Sequence, residues 1–447
     1  MLTTLWAKLI TYLERAQSNL WFIPSLMVFA SVLLSFALLA LDHRYPSQDF
    51  SWLFSGSPSA ARSLLSTIAG AVITVISIAF SLTIVALQQA SVQFSPRVMR
   101  NFTNDKGNQL VLGTYISTFL YSLLILRGVR DPADSSEVGF TPAIATTVAL
   151  AFAVVCVALL IYFISHVANS LQAITIIHRV HSELDEQIDK LYPEPFSKDT
   201  RPVRQPSARG QSDKDKISVS APKAGFIVRI DEDSFRELNF SKSSRLYVLP
   251  SVGEFVIRGQ TLAYVHGYTK LTDERKDCIL AAIIIGAQRS IKQDPLFAIR
   301  QLVDIALKAL SPGINDPTTA SFCIYYLGDA MGSLAQRTIP SPVRSIQDSK
   351  AYVHFNKPNW SDFIEASFFE IQYEARTNPE VTKVLLETLC RLIDLLPSRD
   401  HANALKPLLK TAHEHLAATS FDKLHRQQLQ AILTEADATL SRIVKTK

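Results

Sequence analysis

The chain has 447 residues, 48% of them hydrophobic and only 19% charged, with a formal net charge of +5. So little charge with a positive mean hydropathy argues against a wholly soluble protein, and no basic–aromatic cluster points to nucleic acid. The mild positive balance suits anionic lipid. Four cysteines without CxxC spacing, Cys156, Cys278, Cys323 and Cys390, speak against a disulfide framework or a zinc site and suit a reducing compartment.

Asp, Glu, Lys and Arg are absent from Ala16 to Leu41, Ser63 to Pro96, Gly107 to Leu126 and Val138 to His178. A bilayer core needs about 20 apolar residues per helix, so each run holds one span. The expected spans are 20–41, 63–90, 108–127 and 140–165, within a membrane domain of residues 1–190. The first apolar run is too long for a signal-peptide h-region. An even span count puts both termini on one side. The slight excess of Lys and Arg and the unpaired cysteines place that side in the cytoplasm, and the chain in a cell inner membrane. No span carries a carboxylate, lysine or arginine, which disfavours an ion-coupled pump. His166 reads as an interfacial histidine.

The second run is long for a bilayer: 34 residues make a helix of roughly 50 Å against a core of about 30 Å. Thr67, Gly70, Thr74, Ser77, Ser81, Gln88, Ser91 and Ser95 recur at a helical interval and share one face, with Ile84 the one break. Two readings compete. Small and hydroxylated residues make a helix–helix seam, the commoner cause; alternatively, copies of this helix line an uncharged water path in a homo-oligomer. Beyond Pro96, Arg97 and Arg100 suit either lipid phosphates or a solvated basic loop.

After the fourth span an apolar pattern continues towards Tyr192. Residues 191–216, rich in Pro, Ser and charge, read as a flexible linker. Residues 217–268 change to short β-rich runs punctuated by Gly225, Gly253 and Gly259. The order APKAGFIVRI, then GEFVIRGQTL, resembles the barrel-sandwich hybrid of biotinyl and lipoyl domains. That resemblance implies a small barrel-like β module. The carrier lysine hairpin is missing and Lys223 stands in the wrong place, so no cofactor is implied.

Residues 269–447 read as an all-α domain. Arg300, Asp304 and Lys308 form an i, i+4, i+8 ladder, and Ser311-Pro312-Gly313 stops that helix. LSPGINDPTTA admits two readings. Asp316 and Pro317 start the next helix as N-cap and N1, which makes a structural corner; alternatively, Asn315, Asp316, Thr318 and Thr319 surround a small ligand or cation. Four further helices are expected at about 360–376, 379–396, 399–418 and 421–444. His413-Glu414-His415 lacks the HExxH spacing of a metalloprotease.

The stretches FSLTIVALQQASVQFSPRVMRNF and QDPLFAIRQLVDIALKALSPGINDPTTA resemble a bacterial family of predicted membrane proteins, domain of unknown function 2254. The resemblance implies four N-terminal spans and a cytoplasmic C-terminal part, and carries over no activity. No catalytic, metal or cofactor motif stands out, so an enzyme is not expected. The leading expectation is a passive, channel-like homo-oligomer in the lipid bilayer. A membrane-anchored scaffold or sensor, binding a cytoplasmic protein or small ligand, is the alternative.

Overall fold

The computed structural model describes residues 21–44, 53–93, 105–130, 140–196, 216–236, 244–268, 270–346 and 351–446. The chain forms two compact units, Met1–Thr175 and Ile176–Lys447.

In the first unit, four helices among the described residues are long and apolar enough to cross a membrane. They are α1 (Phe22–Arg44), α2 (Pro58–Gln93), α3 (Lys106–Gly128) and α4 (Ala143–Ser170). At about 1.5 Å per residue, α2 is about 54 Å long and outruns a bilayer core of about 30 Å. α3 is the centre of the bundle. Over half of its most apolar stretch is buried (56%), against 17% in α1 and α4 and 28% in α2.

Several hydroxyls buried inside this bundle find backbone partners, as burial in hydrocarbon favours. Tyr121 Oη donates to Ala145 O at 2.9 Å, Tyr115 Oη to Cys156 O at 3.3 Å, and Ser31 Oγ to Ser117 O at 2.9 Å. A Cβ on Gly113 would meet Met27 Sδ at 2.6 Å and Pro24 Cα at 3.1 Å, so glycine there permits the close crossing of α1 and α3.

The second unit begins on α5 (Ala173–Leu191), whose buried Ile177, Val180, Leu184 and Ile188 repeat at helical spacing. The boundary therefore falls near 175 rather than 190. The expected linker also starts later than residue 191. Thr338 N donates to Glu194 O at 2.9 Å and Phe196 N to Gln336 O at 2.7 Å, tying 192–196 to the body of this unit. Residues 197–215 lie outside the described residues.

The β region is not a barrel. It forms two open sheets, ordered β1-β5-β3-β8-β7 and β4-β2-β6. β1 (Lys216–Ser220), β2 (Gly225–Ile230), β3 (Arg245–Val248), β4 (Phe255–Val256) and β5 (Thr261–His266) come from the expected module. The short α6 (Glu232–Arg236) follows β2, and α7 (Asp273–Ala282) follows β5. β6 (Ile283–Gly286), β7 (Val343–Ile346) and β8 (Ala351–Phe355) come from the part expected to be all helical. Ile283-Ile284-Ile285 is β-branched and pairs antiparallel with β2, overriding a helical pattern in its flanks. β8 alternates buried Ala351, Val353 and Phe355 with half-buried residues and pairs in parallel with β3. One core, including Ile227, Leu246, Val265, Ile279, Val353 and Phe355, joins both sheets to α6 and α7.

The remaining helices are α8 (Pro295–Leu310), α9 (Pro317–Ala335), α10 (Trp360–Ala375), α11 (Pro379–Leu395), α12 (Arg399–Ala418) and α13 (Lys423–Thr446). The starts of α8 to α11 are fixed by Asp294, Asp316, Asn359 and Asn378, each accepting from backbone N–H groups. Proline follows at N1 in α8, α9 and α11.

Candidate functional site

On α2 the buried positions are Ala61, Leu65, Ile68, Ala69, Val72, Ile76, Ala79, Ala86 and Ala90. They carry the helix against its neighbours. The polar stripe lies elsewhere: Thr67, Gly70, Thr74, Ser77, Ser81 and Gln88 are exposed and Ser91 is half-buried. It is therefore not a seam between the spans of one chain. Ser95, Arg97 and Arg100 lie outside the described residues.

Three of these hydroxyls are satisfied by their own helix. Thr67 Oγ1 donates to Ser63 O at 2.8 Å, Thr74 Oγ1 to Gly70 O at 2.9 Å and Ser77 Oγ to Ile73 O at 3.0 Å. Such back-bonding lets a hydroxyl face lipid or another helix at little cost. A Cβ built on Gly70 meets nothing within 4 Å. Nothing among the described residues requires glycine there, although glycine inside a helix costs about 1 kcal/mol relative to alanine.

Charged groups sit at the ends of the bundle. Asp42 is buried near the end of α1, and its carboxylate accepts from Ile144 N and Ala145 N, each at 3.0 Å. It caps α4, whose own N-cap position, Pro142, supplies no side-chain bond. Asp105 caps α3 through Gly107 N at 2.8 Å and also meets His166 Nε2 at 3.0 Å. His166 is thus held by a capping carboxylate.

In the second unit, Asp316 and Thr319 of the α8–α9 corner bond to each other. Asp316 accepts from Thr319 N at 3.1 Å and from Thr319 Oγ1 at 2.6 Å. Asn315 takes the left-handed conformation, φ 47°, and Thr318 is exposed. The expected ladder pairs Arg300 with Asp304 at 2.7 Å and reaches across to Glu370 of α10, while Lys308 is exposed. His413 meets Asp437 at 2.7 Å on exposed helix surfaces. Among the described residues no group of three or more His, Cys, Asp or Glu is placed to hold a metal ion.

A cavity of about 210 Å³ opens between the end of α5, the start of α8 and the β region. Its apolar wall includes Leu191, Val252, Leu296, Pro340 and Phe355. In its lining the Glu232 carboxylate bridges two cations, Arg344 Nε at 3.2 Å and Lys357 Nζ. Asp294 also belongs to the lining; it is 2% exposed and gripped by Arg289 Nε at 2.8 Å and Nη2 at 2.9 Å. Burial raises the Asp294 carboxyl above the ordinary range, with Arg289 opposing. Burial, reinforced by the Asp294 charge, raises the phenol of neighbouring Tyr192 as well.

The profile of a family described as predicted membrane protein (DUF2254) matches residues 17–391. The chain belongs to this family. Its curated relatives include uncharacterized protein Mb1321c of Mycobacterium bovis and uncharacterized protein Rv1290c of Mycobacterium tuberculosis. Each is 32% identical over 382 residues, covering 84% of this chain and 72% of the relative. Uncharacterized protein MT1328 of Mycobacterium tuberculosis is 31% identical with the same coverage. No solved structure matches the chain significantly. Family membership accounts for both the apolar helices and part of the second unit, because the match runs from before α1 into α11.

Sequence reasoning missed the cavity because its lining is gathered from six separated stretches between Lys190 and Pro358. The one local signal was the Asp-Pro at 294–295, which marks the buried N-cap.

Proposed function

We propose that the protein is a channel-like homo-oligomer of the inner membrane, both termini cytoplasmic, in which the exposed stripe of α2 forms the contact between copies and borders a water path. One observation carries this reading: the polar face of the second span points away from its own bundle. Membrane helices associate through small residues that let backbones approach, and Gly70 offers such a site that no described residue of the chain packs against. Without a fixed charge along the stripe, conduction would be passive and weakly selective.

Accessibility tests the path. With the four native cysteines replaced, Ser77→Cys and Ser81→Cys are expected to react with a membrane-impermeant thiol reagent from one side only. Complete protection of both would contradict a water path.

The cavity of the second unit favours a companion reading, a sensor that binds a small ligand. The two are compatible, ligand binding being the signal and the membrane unit the response.

A further inference from the structure

Resting on the sensor reading, the geometry points to the class of ligand: the cavity takes a small organic anion, whose carboxylate or phosphate is held by Arg344 and Lys357 and whose apolar body lies against Leu296, Pro340 and Phe355.

Size comes first. At about 210 Å³ the cavity holds the volume of about seven liquid waters. It falls below the roughly 300–1,000 Å³ of sites for drug-sized ligands, so a dinucleotide does not fit. The apolar wall favours a compact hydrocarbon or aromatic body.

Charge comes second. Arg344 and Lys357 are each 24% exposed at the side chain and converge on one carboxylate, Glu232. The Arg344 guanidinium presents five N–H donors, more than its bond to Glu232 uses, and the Lys357 ammonium adds its charge from over the Phe355 ring, 5.6 Å from the centroid. Arg344 also spends Nη1 on Ser341 O at 3.1 Å. The second buried acid, Asp294, is already gripped by Arg289 and by Phe297 N at 3.1 Å, so it does not compete for these two cations.

Glu232 then acts as a built-in competitor. It stands on the five-residue α6, directly after β2, so the anion-binding part of the lining is shared between a strand-borne arginine and a helix-borne carboxylate. An incoming anion makes charge-assisted, bidentate bonds to Arg344 and displaces or shares with Glu232.

The test uses full-length protein in detergent and isothermal titration with benzoate, its neutral isostere benzamide, and inorganic phosphate. Saturable benzoate binding is expected, with benzamide and phosphate each at least about tenfold weaker, or about 1.4 kcal/mol. Glu232→Gln is expected to tighten benzoate about threefold or more, and Arg344→Met with Lys357→Met to abolish it with the circular dichroism spectrum unchanged. If the double variant does not fold, the Glu232→Gln change decides, and unchanged or weaker benzoate binding overturns the anion assignment. So does benzamide binding as tightly as benzoate, although the sensor reading then survives. Phosphate matching benzoate would overturn the apolar body. No saturable binding of any probe overturns both the inference and the sensor reading.

Discussion

Asp42 in the last turns of the first span reaches Ala145 at the start of the fourth, its carboxylate accepting that backbone N–H at 3.0 Å and the neighbouring Ile144 N–H at the same distance. The first free N–H groups of α4 have no closer local acceptor, because Pro142 at the N-cap offers no side-chain bond. Asp42→Ala leaves them buried and unpaired, a loss of about 1–3 kcal/mol. The apparent melting temperature in detergent is expected to fall clearly, with Asp42→Asn recovering part of the loss.

Gly253 and Gly259 have nearly the same backbone, φ 89° and 86°, and very different surroundings. A Cβ on Gly253 would meet Asp294 Oδ2 at 2.2 Å and Arg289 Nη2 at 2.8 Å, whereas one on Gly259 meets nothing within 4 Å. Gly259→Ala is expected to cost about 1–2 kcal/mol, from the left-handed conformation alone. Gly253→Ala is expected to cost more, because it also drives apart the Arg289–Asp294 pair. Thermal unfolding of the two variants side by side checks the order.

At the α8–α9 corner the left-handed Asn315 gives a contrast between stability and function. Asn315→Gly relieves the conformation and is expected to leave stability within about 0.5 kcal/mol; Asn315→Ala is expected to cost about 1 kcal/mol. Neither should alter flux or ligand binding at equal folded protein. A functional loss in Asn315→Gly at wild-type stability would revive the ligand-loop reading.

How much of this was legible in the sequence follows from the range of the interactions involved. The four spans, the helix starts at Asp316 and Pro317, and the membership of one family rest on local runs and motifs, and these could be read directly. β8 could not. AYVHF lies in a stretch broken by prolines, and what makes it a strand is its parallel pairing with β3, over a hundred residues away. The polar stripe was legible as a stripe, but which way it faces depends on where Leu65, Val72 and Ile76 find their partners. Asp42 sat one residue beyond a charge-free run, and only the approach of α4 gives it a role.

His401 carries a pH dependence of the helical part. Burial lowers its pKa below the ordinary value of about 6.5, partly offset by Asp400. The folded state therefore prefers the neutral ring, and the unfolded chain takes up the proton first. Stability from this group is complete above about pH 6.5 and declines as pH falls from there towards the lower folded pKa. His425 works the other way: its bond to Asp422 raises its pKa, so its contribution is present at low pH and fades as pH rises through that raised value. Comparing His401→Gln with the wild type isolates the first effect. The variant is expected to lose less stability than the wild type between pH 7 and pH 5, read by chemical denaturation.

The central claim is that the exposed face of α2 meets the same face of another copy. Cross-linking in native membranes tests it most directly, with Cys156, Cys278, Cys323 and Cys390 replaced so that the exposed Cys278 in particular cannot react. Single cysteines at Gly70, Thr74 and Ser77 are expected to give covalent dimers on mild oxidation, while a cysteine at Val154, on the exposed surface of α4, stays monomeric. Monomer alone at all three α2 positions, or equal cross-linking at Val154, would contradict the account.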